Sequence, residues 1–173
     1  TNVPSTPDST ITRWTAQGFE VSKNGFTDNL IQETAASGAY ATTPAFAEGG
    51  GALEFTCPTS HPTFDVGFGS NGGNTCKYGF RISNGGAVYP IINGTVSNSY
   101  IATDVDGTDI SIRKDGKNIY LRVDGTGSAA RTISISDAAD TGTSVGIIRT
   151  EGTEATLNLT GLRTGGVDDV GYM

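Results

Sequence analysis

The chain has 173 residues, of which 25 are glycine, and a formal net charge of −7 at pH 7. A chain of this length fits one domain that buries most of its apolar surface. Its 11 Lys and Arg residues are scattered, with no run longer than Arg113-Lys114, which disfavours binding to nucleic acid and to anionic membrane surfaces. No apolar stretch is long enough for insertion as a membrane-spanning helix.

The first segment of the chain is rich in Pro, Ser and Thr. Residues 1–11 are therefore predicted to form an N-terminal arm or linker. A single β-sandwich domain is expected over residues 12–162, and residues 163–173 are expected to form a C-terminal tail.

Alternating apolar and polar residues predict about a dozen short strands along the rest of the chain. The segments 18–23 and 26–31 flank Asn24-Gly25, which is a strong signal for a tight hairpin turn. Further strands are predicted at 52–57, 64–69, 78–83, 87–92, 109–114, 118–123, 131–136, 144–149 and 155–162. Helical periodicity is nearly absent, since Gly, Ser and Thr interrupt the two segments, 27–40 and 136–142, where a helical turn would fit. The pattern predicts an all-β, two-sheet antiparallel sandwich or jelly roll.

Three Asp-Gly steps, at 106–107, 115–116 and 124–125, follow one another at intervals of nine residues. We interpret them as bends between strands, because Asp-Gly readily adopts the positive φ angles of tight turns. A second interpretation is that the bends also hold a hard cation such as Ca²⁺ through Asp104, Asp106 and Asp109. A helix–loop–helix calcium site is disfavoured, because its twelfth position falls on Asp115 rather than Glu and a strand follows. A calcium-binding repeat is disfavoured too, because the copies share only Asp-Gly. No other cofactor is predicted.

The order of segments is similar to that of a known fold family. "GGALEFT" at 50–56 is followed by "FDVGFGS" at 64–70, by "YGFRIS" at 78–83 and by "TDISIRKDGKNIYLRVDGT" at 108–126. This order resembles the concanavalin A-like lectin/glucanase sandwich, as found in SPRY-like, laminin-G-like and viral-appendage domains. The resemblance covers roughly residues 12–162 and implies a fold rather than an activity.

Catalytic motifs are weak in this sequence. The glucanase branch of the family carries two Glu residues and an Asp on one strand face, whereas the nearest match here, residues 104–109, has no Glu and is interrupted by Gly107. His61 lies between two prolines and is predicted to be an exposed loop residue. Trp14 is predicted to seal one end of the core or an interface rather than to stack on a sugar. We therefore expect no enzymatic activity.

Cys57 and Cys76 do not have the spacing of a zinc motif. In an up-and-down ribbon the first ends one strand and the second opens a strand two elements later, so the two lie at opposite ends of the sheet. Free thiols are accordingly favoured over a disulfide, which remains the alternative.

Alternate loops of an antiparallel sheet share an end. The loops at 70–77 and 93–99, together with the Asp115-Gly116 bend, are expected to meet in this way. Their amide, ammonium and phenol groups suit a shallow site for a glycan or a protein. The predicted ligand-binding residues are Asn71, Asn74, Lys77, Tyr78, Asn98 and Tyr100. The alternative is that Asn, Ser and Gly serve only to make turns.

The leading functional prediction is a non-enzymatic structural surface protein of a bacteriophage or virus, either a capsid decoration or a fibre head. Its partners would be capsid or fibre subunits, with homo-oligomerisation, and its location would be the virion surface or an extracellular site. The alternative is a carbohydrate-binding lectin module of an exported bacterial protein that contacts a cell-surface glycan. A β-glucanase is the least favoured of the three.

Overall fold

The computed structural model describes residues 14–46, 51–124, 131–136 and 145–165, and these residues form fourteen strands and no helix. The strands are β1 Thr15–Gln17, β2 Glu20–Asn24, β3 Thr27–Ile31, β4 Tyr40–Thr42, β5 Gly51–Thr56, β6 Phe64–Gly69, β7 Tyr78–Ile82, β8 Val88–Ile92, β9 Thr95–Val96, β10 Asp109–Asp115, β11 Asn118–Asp124, β12 Arg131–Ser136, β13 Val145–Thr150 and β14 Asn158–Gly165. None of the described segments is a helix that could cross a membrane.

The strands form two seven-stranded sheets in which the paired strands run antiparallel. The front sheet has the order β1-β4-β13-β6-β7-β8-β9, and the back sheet has the order β12-β11-β10-β5-β14-β3-β2. The predicted all-β antiparallel sandwich is therefore confirmed.

The core lies between the two sheets and follows the alternation seen in the sequence. Phe64, Val66 and Phe68 of β6 point inward from the front sheet, and Leu53 and Phe55 of β5 point inward from the back sheet. The rings of Phe55 and Phe64 lie 6.3 Å apart, which joins the two layers directly. Burial of these side chains is the main stabilising contribution to a sandwich of this kind.

Trp14 is buried in this core, so its ring contributes to the packing of the domain rather than to an exposed surface for a sugar. At the other end of the described chain, β14 continues to Gly165, three residues past the expected end of the sandwich at residue 162. The predicted arm at 1–11 and the tail beyond Gly165 lie outside the described residues.

Sequence patterning missed the strands β1, β4 and β9, which have only three, three and two residues. Alternation cannot be recognised over so few positions. The omission matters because β4 is inserted between β1 and β13, and β9 forms one edge of the front sheet.

The two Asp-Gly steps within the described residues, at 106–107 and 115–116, lie in bends whose geometry differs. Between β10 and β11 the turn residues are Gly116 and Lys117, with Gly116 at φ 60°, while Asp115 still pairs with Asn118. Likewise Asn24 pairs with Thr27, so that turn is one residue later than predicted.

At the first step, Asp106 and Gly107 form a turn closed by a hydrogen bond from Thr108 N to Val105 O (3.0 Å), which leads into β10 without joining two paired strands. The third step includes Gly125 and lies outside the described residues.

Candidate functional site

A row of six side chains crosses the outward face of the front sheet. Its members are Gln17 of β1, Tyr40 of β4, Arg149 of β13, Asp65 of β6, Arg81 of β7 and Tyr89 of β8, and each is the register partner of the next. Phe64 and Phe80, the neighbours of Asp65 and Arg81 along their strands, point into the core. Since successive side chains of a strand point to opposite faces, the six residues, here called the polar row, face outward.

Ion pairs hold the centre of the polar row in place. Arg81 donates to both carboxylate oxygens of Asp65, from Nε at 2.7 Å and from Nη2 at 3.1 Å. Glu151 Oε1 lies 3.2 Å from Arg149 Nε and 3.7 Å from Arg81 Nη2. Two guanidinium groups and two carboxylates therefore balance one another in a fixed geometry.

The pKa values of two groups in this cluster are raised. The pKa of Arg81 is raised, chiefly by its hydrogen bond to Asp65. Burial raises the pKa of Glu151, and the hydrogen bond and negative charge of Asp65 act in the same direction, whereas Arg81 and Arg149 lower it. Arg81 is therefore a charged hydrogen-bond donor, and the Glu151 carboxylate next to it is partly shielded from water.

The loop 70–77 lies against the outward face beside the polar row. Gly67 and Gly79 are paired across β6 and β7, and a Cβ built on either would lie 2.9 Å from the sulfur of Cys76. Because glycine has no side chain, these two residues leave the space in which Cys76 is buried. The same loop places Asn74 beside Arg149, whose Nη1 lies 3.2 Å from Asn74 O and 3.4 Å from its Oδ1. The loop 70–77 therefore borders the polar row on one side.

An aromatic pair closes the β8 end of the polar row. After β9 the chain returns along β8, with hydrogen bonds from Ser97 N to Pro90 O (2.9 Å) and from Ile101 N to Val88 O (2.8 Å). This return places the Tyr100 ring edge-on to Tyr89, with centroids 6.4 Å apart. Tyr100 is 62% exposed and so presents an accessible ring face.

The structure brings only some of the predicted ligand-binding residues together. The two predicted loops do meet, through a hydrogen bond from Gly94 N to Lys77 O at 2.9 Å. Tyr78, however, is 3% exposed and belongs to the core. Asn71 and Asn98 are exposed on the loops.

Asn74 and Tyr100 adjoin the polar row at different members, Arg149 and Tyr89. The return of the chain along β8, which no sequence signal indicated, places Tyr100 beside Tyr89. Ligand binding by the exposed members of the set stays a prediction.

The prediction that His61 is exposed is wrong, because the residue is 1% exposed. Its ring packs edge-on against Phe64 at 5.3 Å. Its Nδ1 lies 2.7 Å from Pro62 O, and its Nε2 lies 2.6 Å from Asp106 Oδ1. A partner 45 residues away along the chain satisfies the ring, and proline-flanked sequence gives no sign of such a partner.

The three aspartates predicted to hold a cation have separate contacts. Asp109 Oδ1 accepts a hydrogen bond from Thr56 Oγ1 at 2.7 Å, and Asp104 Oδ2 accepts one from Thr103 Oγ1 at 3.3 Å. Asp106 is turned toward His61. Calcium binding through Asp104, Asp106 and Asp109 stays a prediction. Among the described residues, three candidate metal-ligand atoms come within 4.8 Å of one another at Cys57, His61 and Asp106.

Both cysteines are free and buried, as the ribbon argument favoured, and the alternative of a disulfide is not realised. Burial, followed by the negative charge of Asp106, raises the pKa of Cys57 to about 12. Burial is likewise the main cause that raises the pKa of Cys76. At neutral pH both side chains are therefore protonated thiols, which react slowly as nucleophiles.

We expect iodoacetamide to leave both thiols of the native protein unmodified during a reaction that fully alkylates free cysteine. After unfolding in guanidinium without reductant, both of the cysteines in the sequence should react. Intact-mass measurement counts the added groups. Rapid labelling of the folded protein would contradict the burial of the thiols, and an unfolded protein that takes up no label would instead indicate a disulfide.

No family model matches the sequence, and no curated protein matches it. Several solved structures match the structure of this chain. The exoplasmic/lumenal domain of VIP36 in its Ca²⁺/Man3GlcNAc-bound form matches with a TM-score of 0.57 at 10% identity, over 88% of this chain and 85% of that one. The SPRY domain of human HERC1 matches with a TM-score of 0.55 at 11% identity, over 87% and 94%. The lectin from Bauhinia forficata in complex with GalNAc matches with a TM-score of 0.55 at 12% identity, over 90% and 93%. Together with the two antiparallel sheets, these likenesses show that the chain has the concanavalin A-like lectin/glucanase sandwich fold.

Proposed function

We propose that this chain is a non-enzymatic glycan-recognition module displayed at the surface of a virion or of an exported protein. The observation that carries the proposal is the polar row, with the exposed Tyr100 ring at one end and the Asn74 loop at its side. Sugars present hydroxyl groups and apolar ring faces, and sites of this class combine a few fixed polar groups with an aromatic surface.

The two arginines of the polar row, the adjacent Glu151 and the exposed Tyr100 each have a place in such a contact. The Glu151 carboxylate accepts hydrogen bonds from sugar hydroxyls, and the Arg81 and Arg149 guanidinium groups donate to sugar oxygens. Asp65 is buried and holds Arg81 in position. The Tyr100 ring offers an apolar surface on which a sugar ring packs. Because the ion pairs already fix the charged side chains, little side-chain entropy is lost on binding.

Two of the similar structures support the ligand class. The VIP36 domain was solved with Man3GlcNAc, and the Bauhinia forficata lectin was solved with GalNAc. Unrelated functions share this fold, so the proposal depends on the side chains of this chain.

The proposed setting rests on the sequence. A Pro-, Ser- and Thr-rich lead into a glycine-rich sandwich suits a module carried on a fibre or capsid, where copies of the chain assemble with structural subunits. A stable oligomer, or copurification with capsids, is the outcome expected for the virion setting. A monomer that binds glycans on its own is expected for an exported lectin module.

We expect glycan-array binding of the wild-type chain to be lost in Tyr100→Ala. The matched control is Phe26→Ala, because Phe26 is also an exposed aromatic residue, at 61%, but lies in the β2–β3 turn of the back sheet. The control should bind like the wild type. Equal loss in both variants, or no binding of any glycan by the wild type, would contradict the proposal. Hydrolysis of any bound glycan would contradict its non-enzymatic part.

A further inference from the structure

Cys57, His61 and Asp106 come together from two loops at one end of the sandwich. Cys57 follows β5 directly, His61 lies in the connection to β6, and Asp106 lies in the turn before β10. Asp106 Oδ1 is 2.6 Å from His61 Nε2 and 3.9 Å from Cys57 Sγ. Cys57 and the His61 ring are fully buried, while the Asp106 side chain is 30% exposed and gives the cluster a solvent face.

The hydrogen bonds of His61 leave Nε2 as the ring nitrogen that faces the cluster. The carbonyl of Pro62 can only accept, so Nδ1 of His61 carries a hydrogen and donates to it. The neutral ring then has a lone pair on Nε2, which faces an oxygen of the Asp106 carboxylate. A separation of 2.6 Å is that of a hydrogen bond, with one hydrogen between the two atoms, and it is too short to hold a metal ion. A metal ion would take the place of that hydrogen once the two atoms move apart.

We propose that Cys57 Sγ, His61 Nε2 and an Asp106 carboxylate oxygen form a binding site for a divalent metal ion of the zinc class. Sulfur, imidazole nitrogen and carboxylate oxygen together suit Zn²⁺, whereas Ca²⁺ prefers oxygen ligands alone. With three protein ligands, a water molecule on the Asp106 side completes a tetrahedron.

Neighbouring groups fix the three proposed ligands in position, as outer-sphere partners do in metal sites. A histidine that ligates a metal usually donates its other ring hydrogen to a carbonyl or carboxylate, which is what Nδ1 of His61 does. Backbone bonds from Gly107 N to Cys57 O and from Cys57 N to Thr108 O, both 2.8 Å, fix the sulfur and the carboxylate relative to each other. A Cβ on Gly86 would lie 3.0 Å from Asp106 Oδ1, so the carboxylate packs closely against this glycine.

The geometry does not match a cysteine–histidine–aspartate catalytic triad. In a triad the carboxylate orients the histidine through one ring nitrogen while the other faces the nucleophile. Here Nδ1 faces Pro62, and Nε2 faces the carboxylate on the side of the sulfur. An ion held here would join the β5–β6 connection to the turn before β10.

Metal entry displaces protons and slightly widens the cluster. The Cys57 thiol proton and the proton shared by His61 and Asp106 pass to the solvent, so that the sulfur binds as a thiolate and Nε2 through its lone pair. Ligand bonds of about 2.0–2.3 Å place two tetrahedral ligands roughly 3.3 Å apart, so the Nε2–Oδ1 separation must increase.

The test uses Zn²⁺ and Co²⁺ with the full chain, purified in the absence of metal. We expect one Zn²⁺ per chain by titration calorimetry and a rise in Tm that a chelator reverses. With Co²⁺ we expect a sulfur-to-cobalt charge-transfer band, which reports thiolate ligation in the wild-type protein without any substitution. Absence of both Zn²⁺ binding and the band would overturn the proposal, leaving the shared proton as the cation.

The two cysteines offer a matched pair of variants. Cys57→Ala should lose the cobalt band and weaken Zn²⁺ binding by more than about 100-fold, beyond the loss expected for an outer-sphere partner alone. Cys76→Ala, which removes the thiol beside Gly67 and Gly79, should keep both. A band that persists in Cys57→Ala, or one lost only in Cys76→Ala, would place the metal elsewhere and overturn the assignment. This test is independent of glycan binding.

Discussion

Replacement of Phe64 by alanine is expected to lower the free energy of unfolding by about 3–5 kcal/mol. The side chain is fully buried and contacts Phe55 of the opposite sheet on one side and the His61 ring on the other. Its removal leaves a cavity, because the surrounding structure relaxes only partially around a deleted core side chain. The loss is a large fraction of the stability of an ordinary domain.

Urea unfolding measures this effect, and the midpoint should fall while the slope m stays unchanged. Phe26→Ala is the control, because this ring is exposed in a turn of the back sheet and its removal should change stability by less than about 0.5 kcal/mol. Similar losses for the two variants would show that Phe64 is not part of a close-packed core.

Gly79→Ala is expected to destabilise the protein by about 3 kcal/mol, at the upper end of the usual range for overpacking. A Cβ at this position would lie 2.4 Å from Val66 O and 2.7 Å from the Cα of Gly67. These are backbone atoms of the paired strand, which cannot move aside without breaking the β6–β7 ladder. Cys76 would also be displaced, so the loop that holds Asn74 should shift and glycan binding should weaken.

Gly85→Ala serves as the control for this variant, since a Cβ there meets no atom within 4 Å. Its stability should stay within about 1 kcal/mol of the wild type, because alanine also restricts the unfolded chain. Thermal unfolding of the two variants side by side measures the difference. A Gly79→Ala protein as stable as Gly85→Ala would contradict the close approach of Gly67, Gly79 and Cys76.

Much of the fold could be predicted because its longer strands carry their own signal. In β6, Phe64, Val66 and Phe68 alternate with smaller or polar residues, and the predicted segment 64–69 matches the strand. The segment 131–136 likewise matches β12. Period-two alternation is a local property of residues two apart, so it is readable without knowledge of the partner strands. By contrast β4, with three residues, offers too few positions for alternation to be recognised.

The candidate site was less predictable, because its residues come together only through the pairing of strands. Asp65 and Arg81 are single outward positions within two strands, and nothing near either in sequence indicates the other. Their bidentate contact depends on the register of β6 against β7. Sequence reasoning did select Asn74 and Tyr100, through the rule that alternate loops share an end, and both adjoin the polar row.

The sequence by itself determined that this chain forms short antiparallel strands with tight glycine-containing turns, because side-chain periodicity and turn chemistry act over a few neighbouring residues. Only the tertiary structure decided which side chains meet across the sheets and loops. The contact between His61 and Asp106 spans 45 residues, and the polar row draws on six strands. Such contacts depend on strand order and register, which are set by how the two faces of the sandwich bury their apolar side chains together.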